Sequence, residues 1–245
     1  MTNKPKSTKN FELILITDDM TAASHKALLD TFENLYNNGF PDADEREDFS
    51  MILERTCSEK EVPRTAIVLY YALNTQQVLG GIVADWYSMG FLHLTYIIVD
   101  PQARKRGIAK ELMAKGIPTI IEHLSTVENV TIRSNFFESN NPQTTTIDNF
   151  DPKIRLKIFS DLGAKIIPID YIQPSLGEGK EKVLNLLLLT FSQFNANEAN
   201  MRVEDIIDFL TELYRACKNE ENCPDLQAMA RQLSNFGEHI DLKSC

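Results

Sequence analysis

Three consecutive stretches rich in β-branched and aromatic residues, at 66–73, 78–86 and 92–99, stand too close together for a crossover helix, so they read as an antiparallel meander. Asn74-Thr75-Gln76-Gln77 turns the first into the second, and Met89-Gly90 precedes the third. The third ends at Asp100-Pro101. Residues 104–124 then place Ile108, Leu112, Met113, Ile117, Ile120, Ile121 and Leu124 on one helical stripe, with Pro118 positioned to kink it. A strand is expected at 130–137, then a helix opened by Asp151 as cap and Pro152 at the first turn and closed at Gly163. Strands at 165–172 and 182–194 form a second hairpin with a longer loop, while 11–16 alternates as a strand and 20–36 repeats as a helix.

This order implies a flexible tail over 1–10, a body over 11–194 and a helical C-terminal extension over 195–245, whose stripe includes Val203, Ile206, Leu210, Leu213 and Tyr214. With 43% hydrophobic and 24% charged residues in 245, the chain has the means for a substantial core. The longest apolar run, 183–191, is interrupted by Asn185 and is far short of the roughly 20 residues that span a bilayer. The lysines of the first ten residues lead into an alternating strand instead of a signal region, so a cytoplasmic protein without membrane contact is expected. Four cysteines form no CxxC pair and no histidine cluster accompanies them, which points to reduced thiols and no metal site. A net charge of -10 argues against nucleic acid as a partner.

Against that charge, Arg104, Lys105, Arg106 and Lys110 gather four positive charges where a strand gives way to a helix. Cations oppose the helix dipole at this end, so a merely solvated basic turn is disfavoured. Unpaired amides at a helix start, with Gly107 allowing close approach, instead suit an anion such as pyrophosphate. The opposite extreme is residues 41–61, with eight acidic and three basic residues, a flank able to concentrate cations or simply to be a solvated face.

Arg104-Lys105-Arg106-Gly107-Ile108-Ala109 resembles the acetyl-CoA loop of the GCN5-related N-acetyltransferase (GNAT) superfamily, Arg/Gln-x-x-Gly-x-Gly/Ala between a strand and a helix. The element order over about residues 11–194 is similar as well. The resemblance implies an α+β fold (α/β three-layer): a mixed, mostly antiparallel central sheet with helices on both faces, extended here by C-terminal helices. It also implies acetyl-CoA as cosubstrate, bound where the strand before the loop splays from its parallel neighbour. Backbone groups of Ile97, Ile98 and Val99 would meet the pantetheine arm, and Arg104, Lys105, Arg106, Gly107, Ile108, Ala109 and Lys110 the pyrophosphate, with Asn140 added to the cofactor set.

A closer likeness is to a bacterial branch with Glu-x-Asn-x-Pro, Asp-Pro-x-x-Arg and Tyr-x-Gln-Pro motifs, matched by Glu138-Ser139-Asn140-Asn141-Pro142, Asp151-Pro152-Lys153-Ile154-Arg155 and Tyr171-Ile172-Gln173-Pro174. Asp151 and Arg155, four apart, fit a cap and surface pair better than a catalytic pair. The implied reaction is direct attack of a primary amine of a small molecule on the thioester. A protein lysine or N-terminus as acceptor, and a non-catalytic acyl-CoA-binding or interaction module, are the alternatives. Glu138 is the first candidate for base or amine anchor, by way of a raised pKa, with Asp85 weaker. Phe159 stands where many relatives place a thiolate-protonating Tyr, which leaves Tyr171 or Tyr96 for that task, or a thiolate that departs unassisted. A homodimer through the C-terminal helices is a further expectation.

Overall fold

A computed structural model describes residues 10–17, 22–42, 44, 46–56, 63–145, 150–177, 179–218 and 223–245. Most of the N-terminal tail, and Ala43, Glu45 and residues 57–61 of the acidic flank, therefore lie outside the described residues. The elements in chain order are β1 (Phe11–Ile16), α1 (Ala22–Gly39), α2 (Phe49–Thr56), β2 (Arg64–Ala72), β3 (Gln77–Tyr87), β4 (Phe91–Val99), α3 (Ile108–Glu111), α4 (Ile117–Thr126), β5 (Ser134–Asn140), α5 (Pro152–Asp161), β6 (Ala164–Ile166) and β7 (Leu186–Phe191). They are followed by β8 (Asn200–Arg202), α6 (Val203–Ala216), α7 (Pro224–Ser234), β9 (His239–Asp241) and β10 (Lys243–Ser244).

One sheet runs β1-β2-β3-β4-β5-β7-β6-β10. Every neighbouring pair is antiparallel except β4 and β5. The expected meander is β2 to β4, and the mixed, mostly antiparallel sheet with helices on both faces is the architecture found. Alternation along β4 explains how its residues are shared out. Leu92 and Leu94 join a core with Ile108, Leu112, Ile117 and Ile120 on one face. On the other face Tyr96 and Ile98 pack with Phe32, Tyr36, Phe49 and Ile52 of α1 and α2, and Phe91 packs with Phe136 and α6. Two separate cores thus sit side by side on that second face, and a space between them follows.

The helical stripe at 104–124 folds as α3, a π turn over Leu112–Gly116 and α4. Ile117 donates its amide to the Leu112 carbonyl, five residues back. Pro118 has no amide to donate, so the irregular turn just before it absorbs the break that the proline imposes. The strand expected at 130–137 instead occupies Ser134–Asn140, which puts Glu138 inside β5. The second hairpin is shorter than its apolar pattern, because the described residues between β6 and β7 run as irregular chain in which Gln173 and Val183 form an isolated bridge.

The C-terminal segment does more than extend the body. Phe209 of α6 stacks on Phe136 of β5 with centroids 3.9 Å apart and planes at 5°, and lies edge-on to Phe91 and Tyr87. β10 closes the sheet against β6. The apolar stripe of α6 is long enough to cover the β5 and β7 half of the sheet, which α1 and α2 leave bare. Because Phe209 is fully buried, Phe209→Ala is expected to lower stability by about 3–5 kcal/mol, measured by urea unfolding.

Candidate active site

β4 and β5 pair over only three positions, Phe91 with Ser134, Leu92 with Asn135 and His93 with Phe136, and then part. A bulge begins at the same place. Val83 faces Tyr96 while Asp85 faces His93, so β4 holds one extra residue there and bends. Among the described residues the edge of β4 that faces away from β3 has no strand partner beyond His93, and its backbone groups can meet a ligand there. Ile97 and Val99 flank this gap, whereas the Ile98 side chain turns into the α1 core.

A cavity of about 710 Å³ opens at the parting, between the α1–α2 core and α6. Phe40, Met51 and Arg55 line one side, Leu213, Ala216 and Cys217 the other, and Asp85, His93, Thr95 and Glu138 the sheet. Glu138, Ser139 and Asn140 all reach it although successive residues of a strand point to opposite faces, so the space continues through the sheet at the gap. The loop before β7 roofs it: Lys180 Nζ donates to the Arg46 carbonyl, and the Glu181 amide donates to Asp44 Oδ1 at 3.2 Å.

Inside the cavity His93 Nε2 lies 2.7 Å from Glu138 Oε2, and the Tyr171 hydroxyl donates to Glu138 Oε1 at 2.6 Å. Burial pushes the Glu138 carboxyl up, but the His93 charge and the hydrogen bonds from His93 and Tyr171 outweigh it and leave the pKa lowered. The raised pKa expected for this residue is therefore reversed, because a partner that sequence spacing did not expose sits against it. Burial pushes His93 down and Glu138 more than compensates, so His93 is raised above 6.5. An ionised carboxylate only accepts, hence Nε2 holds the proton of this bond. Burial and Glu138 push Tyr171 well above 10.0.

A second buried group lies across the cavity. Arg55 donates from both terminal nitrogens to the two Glu47 oxygens at 2.8 Å, and from Nη2 to Asp85 Oδ2 at 3.2 Å. Thr65 Oγ1 donates to Asp85 Oδ1 at 2.5 Å. Asp85 is thus committed to Arg55 and Thr65. Tyr96 lines the cavity, but its hydroxyl accepts the Glu47 amide at 3.0 Å while Tyr36 donates to the Glu47 carbonyl at 2.8 Å, so the two phenols clamp the start of α2. Burial raises the Cys217 thiol to about 12, which makes it inert as a nucleophile.

The basic loop leaves β4 through Asp100, whose carboxylate accepts the Gln102 amide at 2.9 Å. Lys105 and Gly107 both have left-handed backbones, at φ 65° and 82°. A Cβ at position 107 would meet no atom of the described residues within 4 Å, so among them the space over the first amides of α3 is open. Arg104 lies over the Phe150 ring, 4.7 Å from its centroid. Phe159, partly buried, packs edge-on against Phe137 and Phe191 at the border of the core opposite the cavity. Asp151 caps α5 by accepting from the Lys153 amide at 2.8 Å, as a structural residue.

The acetyltransferase (GNAT) family matches residues 29–139, from α1 through the basic loop to β5. This part of the chain belongs to the GNAT family of acetyltransferases. No curated protein matches the sequence. Among solved structures, a GNAT-family protein from Bacteroides thetaiotaomicron superposes with a TM-score of 0.51 at 18% identity, covering 81% of this chain and 93% of its own. A GNAT acetyltransferase from Elizabethkingia anophelis, solved with acetyl-CoA bound, gives 0.46 at 13% identity over 75% of this chain and 98% of its own. Among the described residues no helix is long and apolar enough to cross a membrane, and no group of three or more His, Cys, Asp or Glu side chains is placed to hold a metal.

The His93–Glu138 pair of this GNAT domain makes stability depend on pH in both directions. Glu138, lowered from 4.5, contributes fully above that value and loses the contribution as pH falls through its folded pKa. His93, raised from 6.5, contributes fully below that value and loses it as pH rises through its folded pKa. The stability difference between wild type and Glu138→Gln is expected to be greatest between about pH 4.5 and 6.5 and to shrink on either side, measured by urea unfolding across pH.

Proposed function

We propose that the protein transfers an acetyl group from acetyl-CoA to a primary amine of a small molecule, by direct attack of the amine on the thioester. The observation that carries this reading is the parting of β4 from β5 beside the cavity, with the open Gly107 loop at the far end of β4. The pantetheine arm lies along the free edge of Ile97, Ile98 and Val99, and the pyrophosphate sits on the amides of Arg106 to Lys110 with Arg104 and Lys105 around it. Asn140, buried at the end of β5, stands at the mouth between the two halves.

Two features support a small cationic acceptor. The roof joining Lys180 and Glu181 to Arg46 and Asp44 narrows the approach that a protein lysine or N-terminus would need. In the lining, Glu47, Asp48, Glu54, Asp85 and Glu138 stand against Arg55, Arg155, Lys180 and Lys218, an excess of one negative charge with His93 neutral. An ammonium is drawn to such a wall before it loses its proton.

The purified protein is expected to release free thiol from acetyl-CoA only when an amine from a panel of polyamines, amino sugars and amino acids is present. Gly107→Glu is expected to bind acetyl-CoA at least tenfold more weakly by calorimetry, since it sets a carboxylate beside the pyrophosphate amides and a side chain at φ 82° strains the turn that presents them. Equal affinity would remove the cofactor from this loop, and thiol release without acceptor dependence would remove the transfer reaction.

A further inference from the structure

Three buried side-chain atoms have no hydrogen-bond partner among the described residues: His93 Nδ1, Ser139 Oγ and Gln173 Nε2. All three residues line the cavity. Leaving such an atom unpaired is costly, so three around one cavity mark the place where a ligand completes the structure. His93 differs from the other two because its second nitrogen is held. Nε2 is fixed on Glu138 Oε2 at 2.7 Å, and the Phe209 ring packs edge-on to the imidazole with centroids 5.3 Å apart.

The first candidate for a base, Glu138, has both oxygens engaged, one by His93 and one by Tyr171. A carboxylate so occupied can orient and charge-balance an imidazole better than it can meet a substrate proton. The ring nitrogen left without a hydrogen-bond partner is Nδ1, on a cavity-lining residue only 6% exposed. We propose, on the basis of the transfer reaction set out above, that His93 is the catalytic residue that takes the amine proton through Nδ1, with Glu138 and Tyr171 as positioning residues behind it.

In the neutral imidazole Nε2 carries the proton toward Glu138 and Nδ1 offers a lone pair. The acceptor nitrogen forms its bond to the thioester carbon while the carbonyl electrons move to oxygen. Nδ1 removes one proton from the nitrogen, giving an imidazolium paired with the Glu138 carboxylate. The C–S bond then breaks as the carbonyl re-forms, and the imidazolium returns its proton to the departing thiolate. The products are the acetylated amine and CoA thiol, and His93 is neutral again. No tyrosine is needed for the last step, which accounts for Phe159 serving as packing in this chain.

His93 is faced by charged and titratable groups from every side: Glu138 on β5, Asp85 and Tyr87 on β3, Arg55 on α2 with Glu47 just before it, Tyr171 beyond β6 and Cys217 after α6. Loss of the Glu138 charge is expected to make His93 easier to deprotonate.

The test compares kcat/KM against pH for wild type, His93→Gln and Glu138→Gln with one amine that the wild type acetylates. Titration of the amine itself cancels in the ratio of wild type to His93→Gln. That ratio is expected to rise with pH through a midpoint above 6.5 to about a hundredfold or more, while acetyl-CoA affinity stays unchanged by calorimetry. A flat ratio near one overturns the assignment to His93. Should His93→Gln lose acetyl-CoA binding through misfolding, Glu138→Gln decides: its profile is expected to shift to lower pH, and an unshifted profile overturns the proposal. Failure of wild type to acetylate any amine while binding acetyl-CoA would overturn the transfer reading itself, and the proton step with it.

Discussion

Beyond His93 and Phe136 the two parallel strands separate, and among the described residues their facing edges have no strand partner in a place where the sheet would otherwise be continuous. Nearly all buried backbone groups find partners in folded proteins, so an opening of this kind persists only if the rest of the fold holds it apart. Here the bulge opposite Ala84 bends β4, and separate cores on the second face anchor the strand on each side of the bend. Tyr96 and Ile98 are fixed by α1 and α2, Phe91 by α6, and the cavity is the interval between them.

The same division explains why polar chemistry can be buried there. The Arg55 group and the His93–Glu138 pair each occupy a boundary between an apolar core and the cavity, where low dielectric strengthens ion pairing and makes an unpaired atom costly. Glu47 links these levels. It clamps Arg55 with its side chain, and its backbone is held by Tyr36 and Tyr96, so the beginning of α2 is tied to the strand that bears the gap. The acidic flank thus acts through particular bonds as well as through its overall charge.

Much of this fold was legible in the sequence. The meander, the strand-to-helix turn at Gly107 and the cap at Asp151 are local signals, each set by a few adjacent residues whose backbone preferences agree with the final structure. What escaped depends on distance in the chain. His93 is a lone histidine within an apolar strand, and its partner lies 45 residues away. Nothing in its spacing separates it from a core residue. Glu138 was marked by a motif, yet its ionisation could not be inferred before His93 was beside it. Val130 and Ile132 look strand-like and suggest an earlier start for β5, whereas the pairing with β4 begins at Ser134. For α6 the apolar stripe was plain, but which surface it covers is decided by the stacking of Phe209 on Phe136, a contact between segments more than seventy residues apart.

The account rests on the gap between β4 and β5 being the cosubstrate's seat. Hydrogen–deuterium exchange of the full chain with and without CoA tests this directly, because it reports the backbone amides that a bound pantetheine and pyrophosphate cover. Slowed exchange is predicted over the β4 segment beyond His93 and over the amides from Arg106 to Lys110, with β1 and β2 unchanged. Protection elsewhere in the chain, with no change in these two segments, would contradict it.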